Sequence, residues 1–214
     1  NVITKYSASK ISIQEQLNLT KSNLGYYPNT ILAHSYKDYI NRDYQIEIKN
    51  IKKKYPIKYY GVSLYNPNEL YKVLEVDTPD IIQVPCNILD KRFLSKKILK
   101  ILKNKSIKLH TRSIFLQGLL FMKPTQIFKK FKGVKRKFNK ILEISTKENI
   151  SISELSLLWL FKKKEIDKII IGIDSLSHLQ KNLFALKKKI SQKNYKIIDQ
   201  INLHDNKIIK PYLW

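Results

Sequence analysis

Two ionisable side chains close short apolar runs early in the chain: Lys5 ends Val2–Lys5 and His34 ends Thr30–His34. An ammonium or imidazole so placed can stabilise a developing anion or move a proton. A single lysine ending a strand is usually just a solvated group, and a lone histidine in an apolar strand is more often a hydrogen-bonded core residue than a catalyst. Gln83 interrupts another apolar run, where an amide is costly unless a cofactor or a backbone group pairs with it. Cys86 is the single cysteine and cannot make an internal disulfide, and no Cys/His cluster has zinc-ligand spacing. Metal and dithiol chemistry are therefore not expected. Cys86 reads as a small core hydrophobe, Trp159 as packing, and His110 and His204 as structural or surface residues.

Apolar runs of strand length alternate with helix-length stretches, the signature of β/α units around a parallel sheet. The strand candidates are Val2–Lys5, Thr30–His34, Ile57–Ser63, Ile81–Pro85, Ile107–Ser113 and Ile169–Gly172. Helical patterns fall at Ser12–Leu24, Tyr39–Tyr55, Pro67–Glu75, Ser95–Asn104, Lys135–Asn149, Ser153–Lys163, Ser177–Lys189 and Tyr195–Asn202. Ser12 stands three residues before Glu15, and Ser151 three before Glu154, the spacing of a capping box. Phe121–Lys137, basic and interrupted by Pro124 and Gly133, reads as a surface loop.

Six strands suit an open doubly wound sheet or part of a closed (β/α)8 barrel, which has eight. The chain begins at Asn1 without an initiator Met and enters a strand almost at once. The expectation is an α/β fold of the TIM-barrel kind, with about six units present and the first two, roughly 30 residues each, missing. On that reading residues 1–214 form one N-terminally incomplete domain. Lys5 and His34 would then lie at the C-terminal ends of barrel strands, where active sites of this fold are built.

The 214 residues are 43% hydrophobic, enough for one sizeable core. No apolar run approaches the roughly 20 residues of a membrane helix, so a cytoplasmic protein is expected. The formal net charge of +24 raises the question of nucleic acid. The lysines, however, are spread along helix surfaces and loops, as at Lys52 to Lys54, Lys96 to Lys100 and Lys187 to Lys189. Lys, Ile, Asn and Tyr are abundant, as an AT-rich coding sequence would produce, and no recognition-helix motif or aromatic-studded ribbon accompanies the charge.

The order of short motifs resembles the aldo/keto reductase family. Ile3-Thr4-Lys5 is similar to the family's "TK" on its third strand, and Thr30-Ile31-Leu32-Ala33-His34 to the "LLH" region of the fourth. Tyr60-Gly61-Val62-Ser63 is similar to "IGVS", and the run from Ile82 to Asp90 to "Q.pyNlld". Arg112 to Leu120 echoes the seventh strand and its loop. Leu157-Leu158-Trp159, Ile170-Ile171-Gly172 and Leu179 to Leu183 follow "LAL.W", "IIG" and "l..NL". Each match is short; their order over roughly residues 2–185 carries the resemblance.

The resemblance implies a barrel that binds NADPH or NADH at its C-terminal mouth and reduces a small carbonyl compound (aldehyde, ketone or sugar) to an alcohol. Of the family's catalytic Asp, Tyr, Lys and His, only the last two have positions here, as Lys5 and His34; the others belong to a region before Asn1. In the family's chemistry the Tyr donates the proton, the Lys lowers its pKa, the Asp holds the Lys, and the His orients the substrate oxygen. Cofactor positions carried over are Ser63 and Gln83 at the carboxamide, Ser113, Leu116 and Gln117 along pyrophosphate and ribose, and Gly172, His178 and Asn182 near the adenosine. Asp174 stands where the family has a basic residue, which questions a preference for NADPH. Substrate choice in the family comes from mouth loops, including the region of Phe121–Lys137. Without the Asp and Tyr the alternative is a non-catalytic barrel serving as a scaffold or binding protein; charge-driven nucleic-acid binding ranks third.

Overall fold

The computed structural model describes every residue except Asn1, Ala8, Ser9, Lys10 and His204, together with the backbone but not the side chains of Lys132 and Tyr212. The expected role of His204 therefore lies outside the described residues. Contacts divide the chain into two compact units, Asn1–Val84 with Ser95–His110, and Pro85–Leu94 with Thr111–Trp214. The elements are β1 (Ile3–Tyr6), α1 (Ile13–Leu24), β2 (Thr30–Ala33), α2 (Tyr36–Ile40), α3 (Arg42–Lys54), β3 (Tyr59–Ser63), α4 (Pro67–Val76), β4 (Ile81–Pro85), α5 (Lys96–Asn104) and β5 (Lys108–Arg112). They continue with α6 (Pro124–Lys130), α7 (Lys135–Glu148), α8 (Ile152–Phe161), β6 (Lys168–Ile169), α9 (Leu176–Ala185), α10 (Gln192–Gln200) and α11 (Asn206–Ile209). The strands neighbour one another in chain order from β1 to β6. This is the α/β arrangement expected, with parallel pairing from β1 through β4. Among the described residues no helix is long and apolar enough to cross a membrane.

In the first unit, every residue of β2 and β4 is buried, as strands covered on both faces require. Ser12 caps α1 by the expected capping box, and Gly25 closes it at φ 80°, the left-handed conformation that glycine adopts without penalty. The stretch Tyr39–Tyr55, expected as one helix, is two. Asn41 is extended (φ −65°, ψ 128°), and its side chain accepts from Tyr44 N, ending α2 and capping α3. That break lets Tyr39 stack on Tyr60 at 5.1 Å, with Gln45 Nε2 donating to Tyr39 O at 2.6 Å. Burial pushes the phenols of Tyr39, Tyr44 and Tyr60 well above their ordinary range, so these rings serve as packing.

In the second unit, α8 is buried on almost every side, from Ile152 to Leu160. Its Trp159 is fully buried, donates from Nε1 to Asp199 Oδ1 at 2.7 Å, and lies between Lys91 and Lys163, whose ammonium nitrogens are 5.0 and 4.9 Å from the ring. Lys91 also donates to the carbonyls of Ile198 and Ile201 at the end of α10, satisfying acceptors that a helix C-terminus leaves open. Burial pulls Lys91 down to about 7. Between that value and the ordinary 10.5, the unfolded chain holds the Lys91 proton and the folded chain does not, so the Lys91 contribution to stability rises with pH across this window and is constant outside it. Urea unfolding of the parent and Lys91→Met should therefore diverge in the parent's favour by about 1 kcal/mol per pH unit between these limits. A constant difference would mean that Lys91 keeps its proton in the fold.

The region expected as a surface loop, Phe121–Lys137, is largely helical. Pro124 occupies the first turn of α6, where its missing N–H costs nothing, and Ile127 and Val134 are fully buried. The last strand is shorter than Ile169–Gly172, with only Lys168–Ile169 in the ladder. β6 is an edge strand, and α9 beyond it buries only Ala185 while Leu176, Leu179, Leu183 and Phe184 stay exposed.

Candidate functional site

The first unit gathers four of the expected residues through its register. Lys5 pairs with Leu32, Leu32 with Gly61, and Gly61 with Ile81. Because strand side chains alternate, residues two farther along share that face: Ser63, which pairs with Gln83, and His34, whose N–H continues the ladder to Tyr6 O at 2.8 Å. Lys5 Nζ donates to Ser63 Oγ at 3.3 Å, so the ammonium reaches across β2 to the strand beyond. Ser63 and Gln83 are buried, Lys5 is half-buried and His34 is exposed, one residue past the end of β2. Gly61 makes the close approach possible: a Cβ there would lie 2.2 Å from Ile81 O and 2.7 Å from Leu32 Cδ2.

The second unit brings another five together. Ser113, Gln117, Gly172, His178 and Asn182 line one cavity of about 670 Å³, within the size range of small-molecule sites. Leu116, the remaining expected residue, has its side chain buried among the core instead. Leu116 (φ 49°), Gln117 (φ 52°) and Gly118 (φ 85°) form a left-handed run after Ser113 (φ 57°). Non-glycine residues enter this region at a cost and cluster at ligand-holding loops.

Sequence reasoning did not single out the apolar lining, Ile114, Phe115, Phe121, Ile170 and Ile171, nor Lys181. An aromatic flanking each side of the Leu116–Gly118 loop was the available signal for Phe115 and Phe121. Asp174 completes the lining, 3.8 Å from His178 Nδ1. Ser175 caps α9 by accepting from His178 N at 3.2 Å, which fixes the turn holding both residues.

The family model for aldo/keto reductases matches residues 4–203. The chain belongs to the aldo/keto reductase family. Among solved aldo/keto reductases, a thermostable enzyme, Tm1743, in complex with the inhibitor epalrestat is 19% identical with a TM-score of 0.70, covering 93% of this chain and 70% of its own. AKR11C1 from Bacillus halodurans is 17% identical in its holo form (TM-score 0.68, 90% of this chain, 65% of that one) and 18% in its apo form (0.72, 94% and 71%). These likenesses show the fold. The chain thus spans 65% to 71% of the length of these aldo/keto reductases. No curated protein matches the sequence significantly.

Aldo/keto reductases use nicotinamide dinucleotides, and the chemistry of the cavity suits the nucleotide part of one. Its apolar side chains, Phe115, Phe121, Ile170 and Ile171, offer surface to a flat base, and the Ser113 hydroxyl and the Gln117 and Asn182 amides are hydrogen-bonding groups of the kind that ribose and phosphate oxygens require.

Proposed function

We propose that the chain carries the Lys and His of an NAD(P)H-dependent carbonyl reductase, with the family's cofactor held in part by the cavity between the Ser113–Gly118 loop and Ile170–Asn182. The observation that carries this reading is that Lys5 and His34, the positions matching the family's catalytic pair, fall on one sheet face with Ser63 and Gln83. When bound, the nicotinamide supplies the hydride. The Lys5 ammonium, held toward Ser63 at 3.3 Å, stabilises negative charge growing on the substrate oxygen and lowers the pKa of a proton donor beside it. Exposed His34 donates a hydrogen bond to the same oxygen and fixes its direction. Buried Ser63 and Gln83 offer a hydroxyl and an amide to the polar edge of the cofactor. The substrate class is a small carbonyl compound.

A second reading is a non-catalytic barrel serving as a scaffold or binding protein. Assay of the chain with NADH and NADPH against aldehydes, ketones and sugars, following nicotinamide absorbance, separates the two. Turnover that depends on His34 supports the reductase; its absence together with dinucleotide binding supports the scaffold.

A further inference from the structure

In the first unit, the N-terminal end of the sheet joins lysines to tyrosines. Tyr59 opens β3 and Ser63 closes it, so about 13 Å of strand separate this end from the one that carries Ser63 and His34. Helices that connect parallel strands run back against them, and α1, α3, α4 and α5 end here. Three of their last turns carry Lys21, Lys52 to Lys54 and Lys103. Lys58 and Lys105 follow in the connections, and Lys108 opens β5. Part of that charge answers the four helix termini, each worth about half a negative charge, and part answers Glu75, Asp77 and Asp80 before β4. Asp80 is already engaged by Tyr60 N, which donates to its Oδ2 at 2.8 Å, and by Lys52 at 4.0 Å. A surplus of about three positive charges remains.

Among these lysines lie Tyr26, Tyr27, Tyr55 and Tyr59. Tyr27 and Tyr55 meet edge to face at 5.1 Å. The backbone N–H groups of Lys58 and Tyr59 both donate to Asn29 O, at 2.9 and 3.2 Å, which ties the loop before β2 to the start of β3. Lys21 Nζ lies 4.8 Å from the Tyr27 ring and Lys108 Nζ 3.9 Å from the Tyr59 ring. Tyr26 is 56% exposed and Tyr59 37%. Cations alone would take any polyanion through its charge. Aromatic rings set among them add a partner for unpaired bases, worth about five- to 150-fold in affinity for each base stacked. A duplex keeps its base faces stacked inside, and a lipid headgroup has none.

We propose that this end of the sheet is a docking surface for single-stranded nucleic acid, with the lysines on phosphates and Tyr26 and Tyr59 stacking on bases irrespective of sequence. The surface shares no residue with the carbonyl-reductase site proposed above. Fluorescence anisotropy of the 214-residue chain with a labelled oligothymidylate of about 12 nucleotides, within the usual span of such sites, tests the assignment. The oligothymidylate should bind at least about fivefold more tightly than an abasic strand of the same length and charge. Tyr26→Ser with Tyr59→Ser should remove that advantage, and Tyr26→Phe with Tyr59→Phe should keep it. If the serine pair fails to fold, Tyr26→Ser alone, in the loop after α1, should reduce it. Lys54→Gln with Lys58→Gln should lower the slope of log affinity against log salt by about 1.4. Equal binding of the abasic strand overturns the proposal, because charge alone then explains it. An advantage that survives the serine substitutions does the same, as does an unchanged salt slope, which places the strand elsewhere. A serine pair that loses phosphatidylserine vesicles while keeping the oligothymidylate assigns the surface to a membrane instead.

Discussion

Replacing Lys5 with methionine is expected to lower the turnover of carbonyl substrates by about 10²–10⁴-fold, the usual contribution of a group that assists proton transfer or stabilises charge at the reacting oxygen. Methionine keeps much of the length and apolar stem of lysine, so the half-buried position in β1 stays filled. What disappears is the ammonium and its hydrogen bond to Ser63 Oγ at 3.3 Å. The affinity for dinucleotide should change little, because the cavity that would hold the nucleotide is lined by residues between Ser113 and Asn182. Steady-state kinetics beside a binding titration makes the comparison: a fall in kcat at constant Kd assigns Lys5 to the chemistry. An unchanged kcat would return Lys5 to the ordinary class of solvated strand-end lysines.

The largest effect on stability is expected from Gly61→Ala. One methyl group there would sit 2.2 Å from the carbonyl oxygen of Ile81 and 2.7 Å from Leu32 Cδ2. Leu32 can change rotamer, but Ile81 O belongs to the backbone of β4 and moves only if the strand does. Overpacking of this kind typically costs about 1–3 kcal/mol, and a clash with backbone belongs at the upper end. Urea denaturation should show a lower midpoint at an unchanged slope. Because Gly61 and Ile81 are in register directly below Ser63 and Gln83, activity should fall as well, beyond what the unfolded fraction explains. A variant as stable as the parent would mean that β3 and β4 separate without penalty.

Where the sequence was legible, local chemistry and tertiary structure agreed. Ser12 with Glu15 and Ser151 with Glu154 form the two capping boxes their spacing predicted, and Ile81–Pro85 is a strand with the expected limits. The failures have physical causes. Pro124 was taken as an interruption, although at the first turn of a helix it is a starter. The break at Asn41 was hidden because the apolar pattern continues across it, and only the cap to Tyr44 N reveals two helices. For the candidate site, the polar positions were readable from the order of motifs, since Lys5, Ser63 and Gln83 are strand residues and parallel register fixes their face. The cavity lining was harder. Phe121 and Lys181 are 60 residues apart in sequence, and nothing local to either says that a loop and a helix will bring them to one concavity.

The outward stripe of α9 has a consequence for the chain as a material. Leu176, Leu179, Leu183 and Phe184 are exposed along α9, an apolar stripe of the kind through which molecules associate. Against that stickiness stands the mutual repulsion of molecules each carrying a charge of +24. That repulsion reaches about 30 Å at 0.01 M salt and about 10 Å at 0.1 M. Raising the salt concentration shortens that repulsion, so the balance between like charge and the α9 stripe is set by the electrolyte.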